Sequence, residues 1–230
     1  MVELTLVVPC YNEELRLPES LRRLGAFLET RGPGVELILV DDGSSDGTAA
    51  VIRAAQAKHA CVRQLQLSPN QGKGAAVAAG VAVSRGRQVL ISDADFSTPI
   101  EELSKLEDAV AVGADVAIGS RAARGARDRP LHRQAMGKVF NLMVQTILLP
   151  GISDTQCGFK LFLGEVAREL FADLRTTGFA FDVEVLHRAR RAGYRVTEVP
   201  VRWVNSSSSR VSAVRDTTRM LYDLLLLRLA

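Results

Sequence analysis

The 230-residue sequence predicts a single α/β domain, doubly wound around a mostly parallel sheet with helices on both faces. Three observations lead there. Short apolar runs of strand length alternate with segments of helical period through the first half of the chain. Most of these runs are predominantly apolar, as strands covered on both faces are. Unusually polar turns follow them, as at the carboxyl edge of an open α/β sheet where ligands gather.

The elements follow in order. Residues 4–8 form a short apolar run closed by Pro9 and predict a buried strand. Residues 18–30 place Leu21, Leu24 and Leu28 at helical spacing, with Gly32-Pro33-Gly34 as the stop. A second strand over 35–40 leads into a turn-rich stretch, 41–47. Residues 48–59 are helical, 62–67 extended, 74–84 an alanine-rich helix, 88–91 extended, 99–112 helical and 116–118 extended. Beyond Gly119 the rhythm loosens: a basic, glycine-containing loop runs to about Pro130, and a helix over 133–149 stops at Pro150-Gly151. A helix over 181–192, an extended stretch over 195–204, a polar loop over 206–209 and a terminal helix over 212–229 complete the chain. In the last, Val214, Leu221 and Leu225 share a face. No internal repeat or linker divides the sequence.

Composition is that of an ordinary globular protein, with 47% hydrophobic and 24% charged residues. A net charge of +3 is too small to imply nucleic-acid binding. Its distribution says more. Nine carboxylates face four arginines in residues 1–50, whereas Arg121, Arg124, Arg127, Arg129, Arg133 and Lys138 face only Asp128. An acidic patch for metal and a basic patch for phosphate suit one cleft. Cys10, Cys61 and Cys157 are an odd set without metal-ligand spacing, which fits a reducing compartment. His59 and His132 lack ligand partners at metal spacing and His187 falls mid-helix, so none is assigned to metal. Residues 1–8 do not read as a signal peptide, so none is expected, and no run is long enough to span a membrane. Any membrane association is therefore expected to be peripheral.

The chemistry is expected in four turns: Pro9-Cys10-Tyr11-Asn12-Glu13, Asp41 to Thr48, Asn70-Gln71-Gly72-Lys73-Gly74, and Asp93-Ala94-Asp95. Carboxylates at i and i+2 of an extended chain point to one side. Hard oxygens of this kind suit Mg²⁺ or Mn²⁺, which binds through one or two carboxylates plus substrate phosphates. An isolated Asp-x-Asp is more often a solvated loop; the strand before it and the other polar turns reverse that reading. Of Asp41 and Asp42, one is a candidate acceptor for nucleoside N–H and O–H groups, while Asp46 or Thr48 suits a helix cap. Gly72-Lys73-Gly74 is either a flexible helix start or a diphosphate contact. Neither a P-loop nor a dinucleotide-binding glycine fingerprint is present.

Together these motifs resemble the family-2 inverting glycosyltransferases of the GT-A fold, over nearly the whole chain. Gly119-Ser120-Arg121 is similar to the polyprenyl-phosphate subgroup. Residues 154–162 with Phe181-Asp182-Val183-Glu184 and the segment 223–228 look like the dolichyl-phosphate β-glucosyltransferases, with the dolichyl-phosphate mannose synthases as near relatives. The resemblance implies a UDP-glucose donor, a polyprenyl or dolichyl phosphate acceptor, and inversion with Mg²⁺ or Mn²⁺; GDP-mannose is the alternative donor. It implies a nucleotide-sugar-binding half over 1–119, an acceptor-binding half over 120–230, and peripheral work on the cytosolic face of a membrane. By position, Pro9, Tyr11, Glu13, Val40, Asp42, Lys73, Ala94 and Arg210 would contact the donor. Asp93 and Asp95 would hold diphosphate and metal, and Asp154 would orient the acceptor or act as a base.

The sequence also departs from the glucosyltransferase pattern. Residues 1–8 do not read as that pattern's N-terminal anchor, so none is expected here, Phe96-Ser97-Thr98-Pro99 is closer to the mannose synthases, and 206–209 replaces a basic residue expected after Trp203. Arg121 and Arg133 are expected to grip the acceptor phosphate, guanidinium matching its oxygens bidentately. The apolar segments 139–149 and 221–229 suit either core or the membrane interface. Two rival classes remain: a nucleotidyltransferase, which would need a triphosphate loop that 9–13 lacks, and a non-catalytic nucleotide-binding protein on the same fold.

Overall fold

The computed structural model describes residues 1–121, 144–145 and 148–204. The basic loop, most of the helix expected over 133–149, the terminal helix, Arg133 and Arg210 lie outside them.

The first strands are parallel: β1 (Leu4–Cys10), β2 (Val35–Asp42) and β4 (Gln88–Ile91) are largely buried, and β3 (Val62–Leu67), at the sheet edge, is mostly half-buried. Between them run α1 (Leu17–Arg31), α2 (Thr48–Lys58) and α3 (Lys73–Ala82). A 3₁₀ turn, Ile100–Glu102, leads into α4 (Leu103–Ala111), then β5 (Val116–Ser120), β6 (Lys160–Leu163), α5 (Gly164–Ala172), α6 (Phe181–Arg191) and β7 (Val196–Pro200). The sheet order is β3-β2-β1-β4-β6-β5-β7, with β6 antiparallel to both neighbours. Strand order reverses direction at β1/β4, which opens a crevice at their carboxyl ends.

Period-2 alternation sorts each strand between two cores. Val7, Ile38, Val40, Val89, Ile91, Val116, Ile118 and Phe162 face α3, α5 and α6. Leu6, Val8, Leu37, Leu39, Leu90, Ala117 and Leu161 face α1, α2 and α4. Helices thus cover both faces, as the apolar runs predict. Val144, Leu148 and Leu149, from a segment that suited either core or membrane interface, are buried in the first of these cores.

The structure corrects several of the expected elements. β1, β2 and β5 each run two residues further, so that Asp41 and Asp42 end a strand instead of opening a turn, and the extended stretch expected over 195–204 shortens to β7. The helix expected over 99–112 is a 3₁₀ turn followed by a shorter α-helix. β6 and α5 went unpredicted, because β6 is four residues long and begins on a lysine.

Gly80 sets the distance between α3 and the sheet. A Cβ there would lie 2.5 Å from Val7 Cγ1 and 2.9 Å from Val40 Cγ2. Gly80→Val is expected to destabilise the fold by about 1–3 kcal/mol through overpacking, read as a lower midpoint in urea with an unchanged m-value.

Candidate active site

The carboxyl ends of β1, β2 and β4 fall on one edge, with Cys10 opposite Asp41 and Val7 opposite Ile91. The loops after β1 and β2 are laced together. Asn12, at φ 53°, donates its N–H to Ser44 Oγ (2.9 Å) and accepts from Ser45 N (2.8 Å). Glu13 N–H donates to Thr48 Oγ1 (2.7 Å), and the Glu13 carboxylate accepts from Arg16 Nε (2.7 Å). The N-cap of α2 is Gly47, not the expected Asp46 or Thr48; Asp46, one residue earlier, accepts from Thr48 N (3.0 Å). Tyr11 is 45% exposed, so its ring is open to a ligand, whereas the side chains of Val40 and Ala94 are buried. Those two can meet a ligand through backbone alone.

The two aspartates ending β2 differ. Asp42 accepts from Asn70 Nδ2 (2.8 Å), Gln71 N (2.8 Å) and Gly72 N (2.9 Å). A carboxylate has roughly four acceptor positions, so Asp42 is largely occupied in shaping the 70–72 loop. Asp41 accepts from Ser44 N (3.0 Å), and its buried Oδ2 has no partner among the described residues.

The same loop starts α3. Gly74 N (2.8 Å) and Ala75 N (3.3 Å) donate to Thr177 O. The amides of Gln71, Gly72, Gly74 and Ala75 are therefore engaged within the protein, and Lys73 is left as the loop's contribution to the crevice. Its Nζ lies 2.5 Å from Asp93 Oδ1 and 5.7 Å from the Phe181 ring centre.

Asp93 and Asp95 follow β4 across a tight turn. Phe96 N–H donates to Asp93 O (3.1 Å), Phe96 adopts φ 44°, and Asp95 Oδ1 accepts from Ser97 N (3.0 Å). Burial raises the Asp93 carboxyl, but Lys73, Arg121 and Lys160 outweigh it and hold the group below the usual carboxylate range. Gly158 faces this carboxylate so closely that a Cβ would lie 2.2 Å from Asp93 Oδ2. Both aspartates are partly exposed, offer hard oxygens, and Asp93 already holds a cation. That donor chemistry fits Mg²⁺ or Mn²⁺. Among the described residues no group of three or more ligating side chains exists, so such an ion would draw its remaining ligands from substrate phosphate and water.

Arg121, just past β5, meets Asp154 rather than standing free. Its Nε and Nη2 each lie 2.7 Å from the carboxylate, and its own amide donates at 3.0 Å. Burial raises the Asp154 carboxyl, yet these bonds prevail and lower it. Glu198 of β7 fixes the turn by accepting from Ser153 N (3.0 Å) and Asp154 N (2.8 Å). Arg121 lines the same pocket as Asp93, Ser97, Gly158 and Trp203. Trp203 is carried there by Arg202 N, which donates to Glu102 Oε2 (3.1 Å), and Val204 N, which donates to Ser97 O (2.8 Å).

Beneath Asp93 lies an ion pair that sequence reasoning missed. Lys160 is 1% exposed; its Nζ pairs with Asp182 and donates to Cys157 O (2.5 Å). The available signal was a lysine inside the otherwise apolar run 159–163, matched to an aspartate in the first turn of a later helix. Removing one member of a buried pair strands the other charge. Lys160→Met is therefore expected to cost about 3–5 kcal/mol, with a lower melting temperature in calorimetry and partial recovery in the Lys160→Met/Asp182→Leu double variant. Gly158→Ala is expected to displace the Asp93 carboxylate. Divalent-ion affinity should fall by roughly tenfold or more while circular dichroism stays native; unchanged Mn²⁺ binding would refute the contact.

Residues 5–171 match the family profile described as glycosyl transferase family 2. The chain is 38% identical to the dolichyl-phosphate beta-glucosyltransferase of Drosophila melanogaster, over 98% of this chain and 74% of that protein. It is 36% identical to the human protein of that name, over 99% and 75%. Among solved structures, glucosyl-3-phosphoglycerate synthase from Mycobacterium tuberculosis, in complex with Mn²⁺, UDP-glucose and phosphoglyceric acid, superposes with a TM-score of 0.72 at 18% identity, covering 99% of this chain and 79% of that one. That likeness carries the GT-A fold alone. With its profile match and these relatives, the chain belongs to glycosyl transferase family 2 and is a glycosyltransferase.

Proposed function

We propose that this glycosyltransferase moves glucose from UDP-glucose to dolichyl or a related polyprenyl phosphate, with inversion and with Mg²⁺ or Mn²⁺. The observation that carries the reading is Asp93 and Asp95, aimed past β4 into the crevice at the β1/β4 switch point, with Lys73 and the Arg121–Asp154 pair beside them. Relatives of 36–38% identity named for dolichyl phosphate and glucose support the acceptor and the sugar.

The phosphate oxygen of the acceptor attacks the anomeric carbon as the bond from that carbon to the nucleoside diphosphate breaks, and UDP departs. When bound, the divalent ion offsets the charge that builds on UDP. Tyr11, Pro9 and the Asp41–Asp42 strand end supply the nucleoside side of the crevice, and Lys73 faces the diphosphate. A phosphate monoester carries about 1.5 to 2 negative charges at pH 7, so it needs positioning more than deprotonation. Asp154, with its lowered pKa and three bonds to Arg121, orients that guanidinium toward the acceptor rather than acting as a base. Residues 1–119 thus serve the donor and the later part of the chain the acceptor. Arg133 and Arg210 are assigned to acceptor phosphate and donor by their sequence positions. The lipid places the reaction at a membrane surface, on the cytosolic side, by peripheral contact; no helix among the described residues is long and apolar enough to cross a membrane.

Asp95→Asn is expected to leave the fold intact and lower turnover by roughly a hundredfold or more, measured as UDP released in the presence of polyprenyl phosphate. Full activity in excess EDTA would sink the metal requirement. Stabilisation by GDP and GDP-mannose, with no response to UDP or UDP-glucose, would reassign the donor. Arg121→Lys breaks the planar fork on Asp154. It is expected to lower turnover at limiting acceptor by roughly ten- to a hundredfold, with donor KM little changed.

A further inference from the structure

We infer that Lys73 is a resident cation that makes divalent-ion binding conditional on the nucleotide diphosphate. The inference rests on the metal and nucleotide-sugar reading above.

Lys73 Nζ stands 2.5 Å from Asp93 Oδ1, on a carboxylate that a metal ion would need. The lysine is not there by chance of a long flexible chain. Its backbone is pinned by Asp42 through Gln71 and Gly72 on one side and by Thr177 O through Gly74 on the other. Its ammonium lies above the Phe181 ring and is attracted by Asp93, Asp182 and Asp95 in turn. Only 22% of the side chain is exposed.

Charge then decides the order of events. Asp93 and Asp95 bring two negative charges, and Lys73 already offsets one of them. A bare divalent ion entering the pair would meet an ammonium held at contact distance, with Lys160 and Arg121 adding repulsion from below and beside. A nucleoside diphosphate changes the balance, because its phosphate oxygens accept the lysine and supply ligands to the ion. Lys73 therefore leaves Asp93 only when something anionic takes it. Metal and donor enter as a unit, and a divalent ion without nucleotide binds weakly.

The test is Mn²⁺ binding to the full chain, read from the loss of the free-ion electron paramagnetic resonance signal, with and without UDP. Wild type is expected to take up Mn²⁺ weakly alone and much more tightly with UDP. Lys73→Met keeps the contact with Phe181 and removes the charge. It should bind Mn²⁺ without nucleotide about tenfold or more tighter than wild type, the scale on which one adjacent opposite charge acts on a carboxylate. Its gain on adding UDP should shrink. Lys73→Arg should behave as wild type, and Lys73→Gln serves if the methionine variant does not fold by circular dichroism. Equal or weaker nucleotide-free Mn²⁺ binding by the neutral variants overturns the inference. If wild type takes up no Mn²⁺ even with UDP, the metal reading fails first and this one with it.

Discussion

The carboxyl edge of the sheet is a problem in charge balance. Asp93, Asp154 and Asp182 gather there with Asp95, and each of the first three is in contact with a cation, Lys73, Arg121 and Lys160 respectively, Asp154 through both of its oxygens. The buried carboxylates of Asp154 and Asp182 demand such partners, whereas Asp93 remains partly exposed beside its lysine. The three cations come from the start of α3, the end of β5 and the start of β6. Each ion pair therefore ties a loop to the strand edge, and the crevice has the shape those ties allow.

The first turn of α6 supports this arrangement from below. Phe181 lies under the Lys73 ammonium, Asp182 pairs with Lys160, and Glu184 accepts from Arg175 N (2.9 Å) and Thr176 N (2.7 Å). The Glu184 bonds fix the backbone whose next carbonyl, Thr177 O, holds the amides at the start of α3. Two carboxylates in the first turn of a helix are also favoured by its dipole. One helical turn thus sets the position of Lys73 directly and of Asp93 through its neighbours, although Phe181 lies 108 residues beyond Lys73 and 88 beyond Asp93.

Much of the edge formed by β1, β2 and β4 was legible in sequence because its signals are local. A buried parallel strand announces itself as an apolar run, and the polar turn after it needs no tertiary information to be noticed. Asp93-Ala94-Asp95 and the Asp41–Asp42 pair were found that way. Their division of labour was not: that Asp42 is occupied by the 70–72 loop, and that Lys73 turns to Asp93, depends on contacts 20 to 30 residues apart. β6 escaped because a lysine at a buried strand position reads as a surface residue until its partner in α6 is known. Arg121 and Asp154 were both singled out, but as separate contacts for the acceptor. Their mutual fork is a fact of the fold, since β5, the turn before β6 and β7 must meet before the two side chains can.

The direction of the pKa shifts bears on how such a site can work. A general base is most effective with a pKa near the working pH, and burial alone would push a carboxylate that way. At this edge the reverse holds: cations override burial at both Asp93 and Asp154, and both are held below the ordinary carboxylate range. Carboxylates so tuned remain anionic and bind cations well, but they take up protons poorly. A phosphate monoester, anionic before it arrives, has no proton that must be removed, and what it requires is a guanidinium held at a fixed angle. The Arg121–Asp154 fork provides that rigidity, so the electrostatics of the site and the chemistry of the proposed acceptor point in the same direction.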